Sequence, residues 1–362
     1  MAMTSLDRVK KAIAHEEPDR VPVGPFTGFY AARIAGTTIG RYVTDGRVIA
    51  ELQYLLWERL GHDVVVTAGD TYYMAEAFGL AVDHHENALP TARGPVLESL
   101  ADARKLTVPD PHTGGRMPVY IQAARELSRR LGDRVAIRGT GTGPLSLASY
   151  LLGGQNLLVK LAEMSRGMTT AAEEKDFALL MEVASDTALA FLKAQTEAGQ
   201  HIAYLGDSLA SCDMISPEAY RRYVFPYHKR VFDALRDHCG RHGAHAMLHA
   251  CGDNTAVLDE FAATGAEIYE VDSKIDLGEA KRRIGDRVCL IGNLDPAGAL
   301  MSAGPDEVRR EAEECLAAAP DGDGFILGTG CFVAWDTPLE NLRAMVRASR
   351  EFRKGHAPCN AP

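Results

Sequence analysis

The 362-residue sequence predicts an α/β chain folded as a (β/α)8 TIM barrel, with an N-terminal helical extension and long early loops. Three observations predict it. Short β-rich apolar runs alternate with longer helical stretches along the whole chain. Eight such units fill the length, which suits a barrel with insertions. No G-x-G-x-x-G fingerprint follows the first strand, which disfavours the alternative of a doubly wound sheet.

The strands are expected at 20–26 (RVPVGPF), 63–68 (DVVVTA), 134–139 (RVAIRG), 202–206 (IAYLG), 246–250 (AMLHA), 268–271 (IYEV), 288–292 (VCLIG) and 324–327 (GFIL). Each is short, apolar and bounded by polar or glycine-containing turns. Between them, residues 45–60 and 117–131 space their apolar side chains at three to four, as an amphipathic helix requires. Ser216-Pro217-Glu218 presents an N-cap, a proline suited to the first helical position and an early acid, opening a helix to about His238. Pro305-Asp306-Glu307 and Pro338-Leu339-Glu340 open two more. Residues 71–110 and 140–154 are read as long insertions on the face where barrel active sites form. Residues 355–362 are expected to be a flexible tail of a single 1–362 domain.

Composition narrows the function. Hydrophobic residues make up 46% and charged residues 24%, ordinary for a soluble globular protein. The formal net charge of −10 argues against nucleic acid or an anionic membrane as the main partner. No secretory h-region follows Met1, and no run reaches the length of a membrane span; Phe177 to Leu192 comes nearest but contains Glu182 and Asp186. Seven cysteines, an odd count without a signal, fit the cytoplasm with free or metal-bound thiols.

Catalytic groups in a barrel come from the C-terminal ends of strands. Polar groups stand at five consecutive ends: Asp207, then His249-Ala250-Cys251, Glu270-Val271-Asp272, Asn293, and Gly330-Cys331. His249 and Cys251 are two apart, so in an extended strand both point to one face. Cys331 lies eighty positions later, at the same rim of the barrel. One imidazole and two thiolates are donors that Zn2+ prefers, and three protein ligands leave a position open. Cys212, Cys239, Cys289, Cys315 and Cys359 read instead as loop, core or tail residues. Asp207 is a catalytic or substrate-orienting group, a fourth zinc ligand in the resting enzyme, or a loop cap. Glu270 and Asp272 share a face; one could hydrogen-bond His249 or close the metal shell, and Asp272 is otherwise a helix N-cap. Asn293 lines the pocket or caps a turn with Asp295-Pro296. His245 reads as a core or rim histidine, and His84-His85 as a solvated loop.

Two thiolates make zinc a poorer activator of water. They suit it to hold a thiol substrate as the thiolate near neutral pH, since a free thiol has a pKa of about 8.5. The bound sulfur stays nucleophilic, so the ligand set points to alkyl transfer onto sulfur.

Several segments resemble the uroporphyrinogen decarboxylase superfamily. They are Asp7-Arg8-Val9 with Pro18-Asp19-Arg20-Val21-Pro22-Val23, Gly143-Pro144, Ser216-Pro217-Glu218-Ala219-Tyr220 with Pro226, and Gly292-Asn293-Leu294-Asp295-Pro296. Within that superfamily, which is a (β/α)8 barrel, the His-x-Cys and later Gly-Cys resemble the zinc motif of the methylcobalamin:coenzyme M methyltransferase branch. The resemblance implies zinc on His249, Cys251 and Cys331. It also implies a corrinoid carrying the methyl group, and a thiol acceptor. Cobalamin-independent methionine synthases use a similar set with an added carboxylate, which makes Glu270 or Asp272 a candidate fourth ligand. No D-x-H-x-x-G cobalamin motif is present, since Asp237-His238-Cys239-Gly240 has the wrong spacing, so methylcobalamin is expected on a separate corrinoid protein docking at the rim. The alternative is a metal-free porphyrinogen decarboxylase with Asp207 near the pyrrole nitrogens. That activity requires an arginine cluster near the N-terminus, and residues 25–30 offer none; Arg33 and Arg41 are isolated. A third reading is a tetrapyrrole-binding protein that has kept the fold without turnover.

Overall fold

In the computed structural model, which describes residues 3–320 and 322–352, ten strands form. They are β1 (Val23–Gly24), β2 (Val64–Val66), β3 (Val82–Asp83), β4 (Thr91–Ala92), β5 (Ala136–Arg138), β6 (Ile202–Gly206), β7 (His245–His249), β8 (Ile268–Glu270), β9 (Cys289–Leu294) and β10 (Phe325–Thr329). Eight of them make one parallel sheet in the order β1-β10-β9-β8-β7-β6-β5-β2. β3 and β4 pair separately as a small antiparallel ribbon. Each of the eight expected barrel strands is found, shifted by at most three residues at an end. The expected tail at 355–362, with Cys359, lies outside the described residues.

The remaining seam, between β1 and β2, is bridged by one residue. Asp63 donates its backbone N–H to Val23 O at 2.7 Å, and its carboxylate accepts from Val23 N at 2.8 Å. The same buried carboxylate accepts from Arg8 at 2.7 Å and from Arg20 at 2.8 and 2.9 Å. A buried carboxylate needs such partners to offset its lost hydration. The N-terminal Arg8 and Arg20 are thus closure residues at the base of the barrel, at the opposite end of the strands from their C-terminal mouth.

Alternate side chains point into the barrel, as the two-residue period of a strand dictates. Val64, Ala136, Ile202, Met247, Ile268, Cys289, Ile291 and Ile326 form the inner core, plugged below by Leu6, Val9, Ala12 and Ile13 of the helix Ser5–Ile13. The same alternation carried upward from Met247 gives His249, and from Ile268 gives Glu270. Polar groups therefore replace apolar ones only at the top of the barrel interior.

The helices Gly46–Leu60, Met117–Leu131, Pro305–Ala318 and Leu339–Glu351 lie where expected, with Asp45 capping the first. Two readings are corrected. The helix opened by Ser216 stops at Tyr223 and restarts as Phe225–His242, because Pro226 has no N–H to continue the ladder. Residues 140–154 are largely the helix Pro144–Leu152 rather than a long loop; its mean apolarity hid its period, since eight of its nine residues are buried. Among the described residues no helix is long and apolar enough to cross a membrane; Phe177 to Leu192 lies inside the 27-residue helix Ala171–Glu197.

Candidate metal centre

His249 ends β7 and is buried, with its Nε2 3.2 Å from Cys251 Sγ. Cys331 follows β10 and brings its sulfur to 3.9 Å from that of Cys251. The close approach of Cys331 requires Gly330, since a Cβ there would meet Ser273 N at 2.4 Å. Donor atoms of the three residues lie within 4.8 Å of one another. A tetrahedral zinc ion with Zn–S of about 2.3 Å spans a sulfur–sulfur distance of about 3.8 Å. The separation and the soft donor set therefore fit Zn2+. Ser208 Oγ adds a contact 3.3 Å from Cys251 Sγ.

The other ring nitrogen, His249 Nδ1, faces β8. It lies 3.2 Å from Glu270 Oε2 and 3.3 Å from the Glu270 carbonyl. A carboxylate so placed fixes the orientation of the ring, as it does for a histidine that ligates a metal. Glu270 is itself gripped by Arg138 from β5, through two bonds of 2.5 and 2.9 Å between fully buried groups. The Arg138 guanidinium lies 3.7 Å from the Phe26 ring centroid and 4.1 Å from that of Tyr204. Burial acts to lower the His249 pKa, but the Glu270 carboxylate and the Cys251 sulfur outweigh it and hold it at about 9. The hydrogen bond with Cys331, and then His249 beside it, hold the Cys251 thiol well below its ordinary value. Cys331 is pushed up by Cys251 and by burial.

The remaining site candidates fall differently. Glu270 lies against Nδ1, on the side of the ring away from the Cys251 sulfur. Asp272 is not a helix cap: its oxygens accept from Gly252 N at 2.8 Å and Lys274 N at 3.0 Å, tying the loop after Cys251 to the loop after β8. The next helix is capped by Asp276 instead. Asn293 is turned to the outer side of β9, where its amide donates to the carbonyls of Asp272 at 3.2 Å and Ile275 at 2.8 Å. Asp207 is fully buried and accepts from Leu145 N at 3.0 Å, Ser146 N and Ser146 Oγ at 2.7 Å each, and His228 Nε2 at 2.9 Å. Its four donors leave no oxygen facing the cavity, so the geometry favours the capping alternative over a catalytic one. Gly143 permits this, because a Cβ there would sit 2.3 Å from Asp207 Cβ. His245 pairs with Glu267 at the N-terminal end of β7, away from the mouth.

Arg138 was not among the sequence candidates. Its signal was present, since an arginine inside an apolar strand demands a buried partner, but the partner lies 132 residues away. Aromatic side chains were also missed. Phe26, Tyr73, Tyr204 and Phe332 line a cavity of about 90 Å3 that reaches His249 and Cys331. Phe26 stacks on Phe332 with centroids 3.7 Å apart, and Phe29 and Trp335 extend the row outward. On the Cys251 side lies a wider groove of about 310 Å3, bordered by Ser208, Asp213, Asp272 and Lys274.

Fold and side chains together define a parallel (β/α)8 barrel with one imidazole and two cysteine sulfurs gathered at its C-terminal mouth, a set that could hold a metal ion. The chain belongs to the family described as Uroporphyrinogen decarboxylase (URO-D), whose model it matches over residues 4–352. It is 31% identical over 308 residues to a methylated-thiol–coenzyme M methyltransferase of Methanosarcina mazei, covering 85% of this chain and 77% of that one. It is 28% identical to the methylcobamide:CoM methyltransferase MtbA of Methanosarcina acetivorans, over 97% and 98% of the two chains. It is also 26% identical to the uroporphyrinogen decarboxylase of Aeromonas salmonicida, over 96% of each. A solved methyltransferase from Methanosarcina mazei superposes with a TM-score of 0.84 at 26% identity, over 97% of this chain and 99% of its own.

Proposed function

We propose that the chain is a zinc-dependent methyltransferase that moves a methyl group between a corrinoid and a small thiol, the corrinoid arriving on a separate protein. The observation that carries this reading is the convergence of His249, Cys251 and Cys331 at the barrel mouth, with His249 oriented by Glu270. The relatives named as methyltransferases support the transferase class, and the thiolate-rich donor set supports sulfur as the reacting atom.

His249, Cys251 and Cys331 would hold the ion. When bound, zinc supplies the Lewis acidity that keeps a substrate thiol deprotonated near neutral pH. Glu270 holds the Nδ1 side of the His249 ring, so Nε2 stays directed at the sulfurs. Arg138 keeps Glu270 in place through its two hydrogen bonds. Phe26, Tyr204 and Phe332 exclude water from one side of the donors and leave the Cys251 side open. Phe29 and Trp335, partly buried at the rim, offer a flat apolar approach for a corrin ring. A decarboxylase reading lacks its anchor here. Among the described residues of the mouth, Arg116 and Arg138 are both engaged by carboxylates and neither is free for a many-carboxylate tetrapyrrole.

The test combines metal analysis with turnover. Purified protein is expected to hold one zinc per chain and to demethylate methylcobalamin with a thiol. Cys251→Ala and Cys331→Ser are expected to lose both. Zinc-free protein fully active on a porphyrinogen would overturn the reading.

A further inference from the structure

We infer that the thiol taken at this centre is small and carries a neutral or cationic tail, not a sulfonate or carboxylate. This rests on the methyl-transfer reading above. An anionic tail needs a free cation or an open helix N-terminus. Among the described residues around these donors both are already occupied. Arg138 is held by Glu270. Arg116, behind Asp70 on the cavity wall, is held by Asp70 at 2.5 and 2.8 Å and by Glu76 at 2.9 Å. Lys274, the cation bordering the Cys251 groove, is held by Asp213 at 2.6 Å. The N-terminus of the helix Pro144–Leu152, whose Ser146 lines the cavity, is filled by the Asp207 carboxylate.

Charge balance points the same way. Two cysteine thiolates cancel a divalent ion, so a bound substrate thiolate leaves the centre with net negative charge. Asp272, which among the described residues has no cationic side chain as partner and accepts only from backbone N–H groups, borders the open side and adds to it. One uncompensated like charge about 10 Å away, at an effective dielectric of about 20, weakens binding about ten-fold. The cavity walls offer no cation in return for that loss: beside the rings of Phe26, Tyr204 and Phe332 they present neutral hydroxyls, that of Tyr73 already paired to Thr140 at 3.0 Å, and the Asp70 carboxylate.

The test is a binding titration of Co2+-substituted protein, read by the thiolate-to-cobalt charge-transfer band and corrected for each thiol's own pKa. The probes are 2-mercaptoethanol, cysteamine and 2-mercaptoethanesulfonate, which share a two-carbon reach. The expected result is a Kd at least about ten-fold weaker for the sulfonate than for the other two. Asp213→Asn, at an exposed position outside the donor set, releases Lys274 and is expected to tighten the sulfonate selectively at low salt. Equal or tighter sulfonate binding by the unaltered protein overturns the inference while leaving thiol activation standing. A spectrum that no thiol changes overturns the thiol reading itself, and the inference with it.

Discussion

Glu270→Gln separates the orienting role of this carboxylate from its structural one. Both of its oxygens are in use: Oε1 accepts from Arg138 at 2.5 Å, and Oε2 accepts from Arg138 at 2.9 Å and lies 3.2 Å from His249 Nδ1. The substitution keeps the volume but turns one oxygen into a donor, which then faces another donor whichever way the amide lies. It also leaves a fully buried guanidinium without its counter-charge. Breaking one side of a buried pair costs about 3–5 kcal/mol. For a chain of 362 residues, about 3 kcal/mol lowers the melting temperature by roughly 4 °C. Zinc affinity, measured by competition with a chromophoric chelator, is expected to fall about 10- to 100-fold, the range for loss of a group that orients a ligand histidine. The double variant Arg138→Met with Glu270→Leu removes both charges, so stability returns towards that of the parent while zinc affinity stays low. Parent-like zinc affinity in Glu270→Gln, or its recovery in the double variant, would refute the reasoning.

Two further outcomes follow from buried polar groups. Asp207→Asn places an amide against backbone donors and is expected to cost about 2 kcal/mol in urea unfolding, with the KM for thiol unchanged; a ten-fold rise in KM would instead assign Asp207 to the substrate. His62 is wholly buried with neither ring nitrogen bonded, and burial pushes its pKa down to about 4. Unfolded, it takes up a proton near pH 6.5, so the unfolded state binds more protons between those values. Its contribution is therefore complete above about pH 6.5 and falls by about 3 kcal/mol as pH drops to 4. His62→Leu should flatten that part of the stability–pH curve, and an unchanged slope would exclude His62 as its source.

The legible parts of the site were those governed by local geometry. His249 and Cys251 share a face because a strand repeats every two residues, and Cys331 could be placed beside them once eight strand-like runs had been counted. Arg138, Asp207 and Asn293 were not legible in this way. Each has partners far along the chain, and a polar residue at a strand end reads the same whether it faces the cavity or a neighbouring helix. The helix Pro144–Leu152 escaped notice for a related reason: a helix buried on nearly every side shows no amphipathic stripe.

The sequence by itself determined the architecture and singled out the trio His249, Cys251 and Cys331 that comes together at the mouth, because alternation, capping residues and soft-donor chemistry are properties of short segments. Tertiary structure alone decided which carboxylate serves the histidine. Closing the barrel brings β5 and β8 together across its interior, so Arg138 meets Glu270 under His249, while the first turn of the helix Pro144–Leu152 consumes Asp207. Burial forces every charge to find a partner, and which partner is within reach is a matter of packing.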